Sequence, residues 1–475
     1  MQRLPLAFSV LGEGDIARIQ EATERLLEET GFRVTHAGLR ARARAAGARV
    51  DDAAELVRLP RTLLRELLAQ APSSFEVAWQ DGTRITYGGG RSHCLAIVTD
   101  PWIIDYDLQQ PRRPVLADLR KHTVIAQSLA CVAAASRMDF PVADVEGPHS
   151  SLRALEEHLL HFGKHYCVLP ATWESFLQWL ELGAILADGR DLHGSRLITV
   201  GVAVLSPLTL AGMNGDLLVQ ACDYDFPVVP TICPMAGSTS PYSLAGTLLQ
   251  GNAENLFMAA LAQLVKPGQP FLYAFGPSVT DLRSGHDLYY TLDKVLWKAA
   301  QVQLARAYGL PCSAECGGSL TYRYDPQSGA EGILFMAAAR AAGADLLSGI
   351  GSCHNANGMS AEMMLIHEAW LSASEHLLRG IPLDDTRLAR DALAAAGPGA
   401  NFLTDELTLS LMGGGEFFHH ELFDCGGGYE DTPSMLERAH EKAAALTAKC
   451  ESPLPGRVQE NLRRYFREAY TKSGV

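Results

Sequence analysis

Along the first seventy residues, apolar positions recur every three to four residues, a spacing that predicts helices. In DIARIQEATERLLEETG, Ile16, Ile19, Leu26 and Leu27 fall on one face and the segment closes at Gly31. HAGLRARARAAGARVD (36–51) gives a second helix. PRTLLRELLAQAP gives a third, opened by Pro60 and closed before Pro72. Period-two alternation then takes over in FEVAWQDGTRITYGGG, which reads as a hairpin turned at Asp81-Gly82. LAIVTDPWIIDYDLQQPRRPVLADLRK follows as another strand pair and a helix.

From about residue 128 the pattern becomes rhythmic. Seven short apolar runs (CVAAASR, KHYCVLPA, RLITVGVAV, FPVVPTICP, PFLYAFGP, LPCSAECGG and ADLLSGIGS) alternate with amphipathic helical stretches, several of which end in Gly before the next run. Seven β-to-α steps in succession predict a closed parallel barrel rather than an open doubly wound sheet. No glycine-rich phosphate fingerprint follows the first run, which further disfavours a dinucleotide fold. The expected architecture is a TIM-type (β/α)8 barrel over residues 115–475 with a C-terminal helical segment. Residues 1–114 form an N-terminal helical and hairpin extension packed on it. An eighth strand does not stand out.

The chain has 475 residues, 47% hydrophobic, enough for a large core. Its net charge of -14 argues against a nucleic-acid or anionic-membrane partner. With no membrane-length apolar run and no signal-peptide pattern at the N-terminus, a soluble cytoplasmic protein is expected. The ten cysteines lack framework spacing, and Cys131, Cys167 and Cys233 sit inside apolar runs, as buried free thiols do. Cys312 and Cys316 are a close pair without the second pair that a structural zinc site needs.

In a barrel of this kind, chemistry belongs to the loops after the carboxyl ends of the strands. Those loops read MDFPVADVEGPH, SPLTLAGMNG, PMAGSTSPYS, GPSVTDLRSGHD, GGSLTYRYDPQ and GSCHNANGMS. They are rich in Gly, Ser, Pro, Asn and aromatic residues and poor in charge. A roomy, nearly neutral, aromatic-lined site is expected.

Three stretches carry a resemblance: HAGLRARARAAGARVDD…VRLPRTLLRELLAQAPSSFEV, the segment from Asp107 to Arg112-Arg113-Pro114, and Asp325-Pro-Gln327-Ser-Gly-Ala-Glu331 after a glycine pair. Together the chain resembles the trimethylamine methyltransferase (MttB-type) family of corrinoid-dependent methyltransferases. The resemblance implies a barrel enzyme that moves a methyl group from a methylated amine to the Co(I) of a corrinoid (cobalamin) carried by a separate small protein. It implies no zinc and no S-adenosylmethionine, and a homo-oligomer. Some family members carry pyrrolysine in the loop after the LPCSAEC strand; here the corresponding position falls near Tyr322, so the chain resembles the non-pyrrolysine branch. That branch demethylates quaternary amines such as glycine betaine. The alternatives are an inactive corrinoid- or quaternary-amine-binding accessory or sensor protein, and a zinc-dependent barrel methyltransferase.

A quaternary ammonium has no N–H to donate, so aromatic faces must hold it, at roughly 0.5–2 kcal/mol per good contact. Tyr322 and Tyr324 are expected as such walls, with Tyr273 and Phe275 at the end of the preceding strand; packing is the competing role for each. Glu315 would rim the barrel, complementing a cation or binding loop amides. His354, with Asn355 and Asn357, would face the corrinoid or cap the following helix. Arg283 would meet a substrate carboxylate or form a surface ion pair. The C-terminal GGGEFFHHELFDCGGGYEDTP departs from the family, and Phe417 and Phe418 are candidates to replace cage residues.

Overall fold

The computed structural model describes residues 7–429 and 431–472. Eight parallel strands close into a barrel: β1 (His93–Ile97), β2 (Val132–Ser136), β3 (His165–Val168), β4 (Ile198–Ala203), β5 (Val228–Thr231), β6 (271–273), β7 (Ser313–Glu315) and β8 (Leu346–Ile350). Seven of them form one sheet in the order β5-β4-β3-β2-β1-β8-β7. The ring is completed by β6, which bridges Val228 at Phe271 and Cys312 at Tyr273, its Leu272 and Tyr273 amides donating to Val228 and Pro311. A helix follows each strand, from Leu116–Ser128 after β1 to Ala361–Leu378 after β8.

The strand missing from the sequence pattern is therefore β1, and it lies before the expected boundary at residue 115. Its run, HCLAI, is embedded among neighbouring strands of similar composition, so alternation could not tell a barrel strand from a hairpin strand. The hairpin that follows, Trp102–Asp105 with Gln110–Arg112, is excursive and leads back to the first barrel helix. Here the Asp107–Pro114 stretch has a scaffolding function. Arg112 bonds Asp105 at 2.6 Å and grips Asp118 through two bonds of 2.6 and 2.7 Å, while Arg113 lies 4.0 Å over the Trp102 ring.

The N-terminal segment covers the outer face of the Leu244–Val265 helix, which is buried nearly all round and apolar nearly all round for that reason. Phe32 stacks on Phe257 with centroids 4.2 Å apart, and Asn252 donates to Thr23 at 2.8 Å. Glu254 on the same helix accepts from Ser206 at 2.8 Å and from the Leu208 amide at 2.9 Å. The second N-terminal hairpin, Phe75–Ala78 with Arg84–Tyr87, plugs the amino end of the barrel: Phe75, Val77 and Tyr87 pack on Leu95, Ala134, Leu272 and Leu346. At the far end of the chain, Met435–Ala448 and Gly456–Lys472 lie against the helices after β1, β2, β3 and β8.

Phe257 has no exposed surface, and its ring joins the N-terminal segment to the barrel. Replacing it by Ala is expected to lower unfolding stability by about 3–5 kcal/mol. Urea denaturation of the purified variant measures this, and a midpoint equal to wild type would contradict the docking described.

Candidate active site

Barrel interiors are commonly filled by bulky branched side chains. This one is not. Its inward positions include Ala134, Ser136, Thr199, Thr231, Ala274, Ser313 and Ser348, and the space they leave is a cavity of about 200 Å³ that continues up to the loops at the carboxyl end. That volume suits a small molecule rather than a cofactor.

Two ion pairs stand where the strands end. Glu315 closes β7, and its carboxylate contacts the Lys298 ammonium, accepts from the Tyr289 hydroxyl at 2.6 Å, and lies 3.9 Å from Lys294. Both lysines come from the Asp293–Ala307 helix, one turn apart, and point inward through the barrel wall, at 0% and 2% side-chain exposure. Lys298 also donates to the Phe275 carbonyl and to Gln301. Lys294 has no hydrogen-bond partner among the described residues and rests 2.8 Å from the centroid of the Tyr289 ring. The second pair joins Asp100, beyond β1, to Arg137, immediately after β2, whose backbone is left-handed at φ 55.

Burial and charge oppose each other here. Burial pushes the Glu315 carboxyl up, but the Lys298 and Lys294 charges and the bonds from Lys298 and Tyr289 outweigh it and hold the group at about 2. Burial lowers Lys294 to about 7 despite the Glu315 charge, and it lowers Lys298 as well. Asp100 is pushed up to about 6 by burial, against the pull of Arg137. Three cationic side chains (Lys294, Lys298, Arg137) thus accompany two carboxylates (Glu315, Asp100), and each carboxylate is matched by a resident cation.

Aromatic walls come from Phe275, Tyr289 and Tyr290. Tyr289 and Tyr290 meet edge to face at 5.3 Å, and the Tyr290 hydroxyl donates to Ser352 at 3.1 Å. The Tyr290 ring lies so close to Gly318 that a Cβ there would come within 2.4 Å of it, and Phe275 crowds Gly251 in the same way. The segment carrying both tyrosines is fixed by Asn355, which accepts from the Tyr289 amide at 2.7 Å and donates to the Asp287 carbonyl at 2.5 Å. His354, Asn355 and Ala356 are three consecutive left-handed residues at φ 47, 56 and 58, a conformation that costs energy in non-glycine residues.

Of the residues expected from sequence, Glu315 and Phe275 line the cavity. The remaining aromatic candidates lie elsewhere. Tyr273 alternates with Leu272 on its strand, faces outward and donates to Asn252 at 2.7 Å. Tyr324 turns back under its loop to bond Ser360 at 2.7 Å, and Tyr322 is half-buried with its edge towards His354, ring centroids 5.7 Å apart. Phe417 is 86% exposed on the C-terminal segment, and Phe418 packs on His376 and Phe423 outside the barrel. Arg283 is exposed on the loop after β6, with its backbone amide bonded to Asp281. Asn357 donates to the Asn355 carbonyl within its own turn. The Asp325–Glu331 stretch starts a helix: Asp325 caps Ser328, while Glu331 accepts from Gln327 and from the Leu320 amide. Cys233, expected to be buried, opens onto the cavity.

Sequence reasoning missed Asp100, Arg137, Tyr289, Tyr290, Lys294 and Lys298. The one signal available was the lysine pair at i and i+4 in the Asp293–Ala307 helix, a pattern that ordinarily marks a solvent face.

The buried lysine gives the pH response a definite sign. Lys294 sits at about 7 when folded against an ordinary 10.5, so the unfolded chain binds more protons between those values and the Lys294 contribution to stability rises with pH across them. Glu315 contributes in full above its ordinary 4.5 and loses its contribution as pH falls towards 2. Chemical denaturation at pH 7, 8 and 9 should therefore show wild type gaining stability relative to Lys294→Met at each step. A constant difference would contradict the burial of a titrating amine at this position.

A family model described as trimethylamine methyltransferase (MTTB) matches residues 2–472. The chain is 27% identical over 410 residues to a glycine betaine methyltransferase of Desulfitobacterium hafniense strain Y51, covering 86% of this chain and 85% of that protein. It is 25% identical over 483 residues to a trimethylamine methyltransferase MttB of D. hafniense strain DSM 10664 / DCB-2, covering 98% and 96%. A Methanosarcina barkeri (strain Fusaro / DSM 804) trimethylamine methyltransferase MttB is 25% identical over 406 residues, covering 84% and 82%. Among solved structures, the M. barkeri monomethylamine methyltransferase aligns with 93% of this chain and 89% of its own at 13% identity, with a TM-score of 0.49.

Proposed function

Because the chain belongs to the trimethylamine methyltransferase family, we propose that it transfers a methyl group from a small N-methylated quaternary amine to a corrinoid carried by a partner protein. The observation that carries this reading is the blind cavity in the barrel, walled by Phe275, Tyr289 and Tyr290 and opening only where the strands end. A methyl group presented at that opening is within reach of a second protein, while the rest of the amine stays sheltered.

The corrinoid would supply the nucleophile, taking the methyl group as the N–C bond breaks and leaves its electron pair on nitrogen. No acid is needed for a leaving group that is already cationic, so this chain's part is alignment and exclusion of water. Glu315 is already held by Lys298, Lys294 and Tyr289, which makes it an orienting group for the Tyr289 wall rather than a free counterion. The Lys294 amine lies 2.8 Å from the Tyr289 ring centroid and 5.3 Å from that of Tyr290, so Tyr290 is the less occupied of the two faces and the one left for a substrate cation. A substrate carboxylate, as in a betaine, would meet Arg137, which is 40% exposed and engages Asp100 through one nitrogen.

The mouth of the barrel offers a surface on which the corrinoid protein would dock. Leu169, Leu205, Tyr242 and Leu282 stand on the loops after β3, β4, β5 and β6, at 41%, 56%, 67% and 64% exposure. An apolar rim around a cavity mouth is the usual mark of a protein-binding face.

The test is a spectral assay of cobalamin methylation with a panel of N-methylated amines, betaines included. Transfer from at least one quaternary amine is expected; no transfer from any of them, with free or protein-bound corrinoid, would sink the proposal. With the amine so identified, Tyr290→Leu should weaken binding by about 2- to 30-fold, the equivalent of one cation–π contact, while Tyr290→Phe stays close to wild type. Tyr322→Leu should leave affinity for that amine unchanged, both variants being measured by calorimetric titration.

A further inference from the structure

The floor of the lumen carries polar groups that methyl transfer at the mouth leaves unused. Tyr87, the last residue of the Arg84–Tyr87 hairpin strand, rises into the barrel from its plugged end. It is 2% exposed, it lines the cavity, and its hydroxyl has no hydrogen-bond partner among the described residues. Beside it on the wall, Thr199 shares a 2.8 Å hydrogen bond with Nε2 of His165, and both side chains are buried and line the same cavity.

All three are uncharged at neutral pH. Burial lowers His165 to about 4, outweighing the backbone of Ala78 and Arg196, and burial pushes the Tyr87 phenol up. Every charged group that lines the cavity (Asp100, Arg137, Lys298, Glu315) belongs to the mouth, at or beyond the strand ends. A carboxylate drawn down to the floor would find no cation there and would lose its hydration uncompensated. A hydroxyl would find a donor and acceptor waiting. A ligand hydroxyl that bonds to this phenol supplies a partner that the surrounding protein groups do not.

We propose that the lumen floor around Tyr87 is a subsite for an uncharged hydrogen-bonding group, a hydroxyl above all, on the arm of the amine remote from its methylated nitrogen. The proposal rests on the reading that this cavity holds a methylated amine. It adds a specificity-determining residue and a substrate class: hydroxylated quaternary amines, whose ammonium stays among Phe275, Tyr289 and Tyr290 while the hydroxyl reaches Tyr87. Any carboxylate on the same molecule would remain at the level of Arg137.

Calorimetric titration of the full chain tests this without corrinoid. The probes are ω-hydroxyalkyl trimethylammonium ions of two to four carbons, each against its plain alkyl and ω-carboxyalkyl counterpart. One hydroxylated length is expected to bind about 5- to 10-fold tighter than its alkyl match, the worth of one neutral hydrogen bond. In Tyr87→Phe, which keeps the ring and its packing, that ratio should fall to about 1, with alkyl binding and the melting temperature of the ligand-free protein little changed. A hydroxyl advantage that survives in Tyr87→Phe, or none in wild type, overturns the subsite; so does a fall in melting temperature with all ligands weakened alike, which would make Tyr87 a packing residue. If amines bind and are demethylated without regard to the hydroxyl, only the subsite fails. If no amine binds at all, the reading of the cavity fails with it.

Discussion

Two lysines one helical turn apart enter the barrel wall and hold a carboxylate ionised where burial alone would protonate it. The arrangement around Glu315 depends on that opposition. Were Lys298 absent, the carboxylate would be left with a distant ammonium and one phenol, and breaking a buried pair in this way commonly costs about 3–5 kcal/mol. Because Glu315 stays charged, Tyr289 has a fixed acceptor, and the aromatic wall of the cavity has a fixed orientation. Because Lys294 is buried over the same ring without a hydrogen bond, its amine sits close to neutrality and the charge of the cluster becomes sensitive to pH. A site that was expected to be neutral for want of charges is instead charged and internally balanced.

Emptiness at the centre is the second constraint, and it is set by side-chain size. Small residues at alternate positions of nearly every strand leave a lumen that would otherwise be filled, and a hairpin from the N-terminal segment stops it from becoming a channel. The same segment covers the Leu244–Val265 helix, so the extension both seals the barrel floor and buries one of its longest helices. The cavity is thus a product of two parts of the chain that are far apart in sequence.

The stretches that carry the family resemblance prove to be scaffolding. Arg112 clamps the excursion after β1 to the first barrel helix, and Asp325 with Glu331 caps and ties down the loop after β7. Such residues are legible because local geometry ties them to particular neighbours in sequence. The groups that line the cavity have no such tie: Tyr289 is positioned by Asn355, sixty-six residues later, and Lys298 by Glu315 from the next strand.

By itself, the sequence determined the barrel, its seven rhythmic strands and the helical N-terminal extension, since each follows from the period of apolar residues and from local turn chemistry. It also singled out Glu315, which alternation at a strand end aims inward, and Phe275, which alternation alone would have placed on the outward face with Tyr273. Only the tertiary structure decided that β1 completes the ring, because five apolar residues read alike in a hairpin or a barrel. Only it decided that Tyr273, Tyr322 and Tyr324 lie off the cavity while Tyr289 and Tyr290 line it. Loop residues have no period from which their direction can be read. Lys294 and Lys298 could not be singled out from sequence: a charge is placed inside only by a partner, and their partner is on another element.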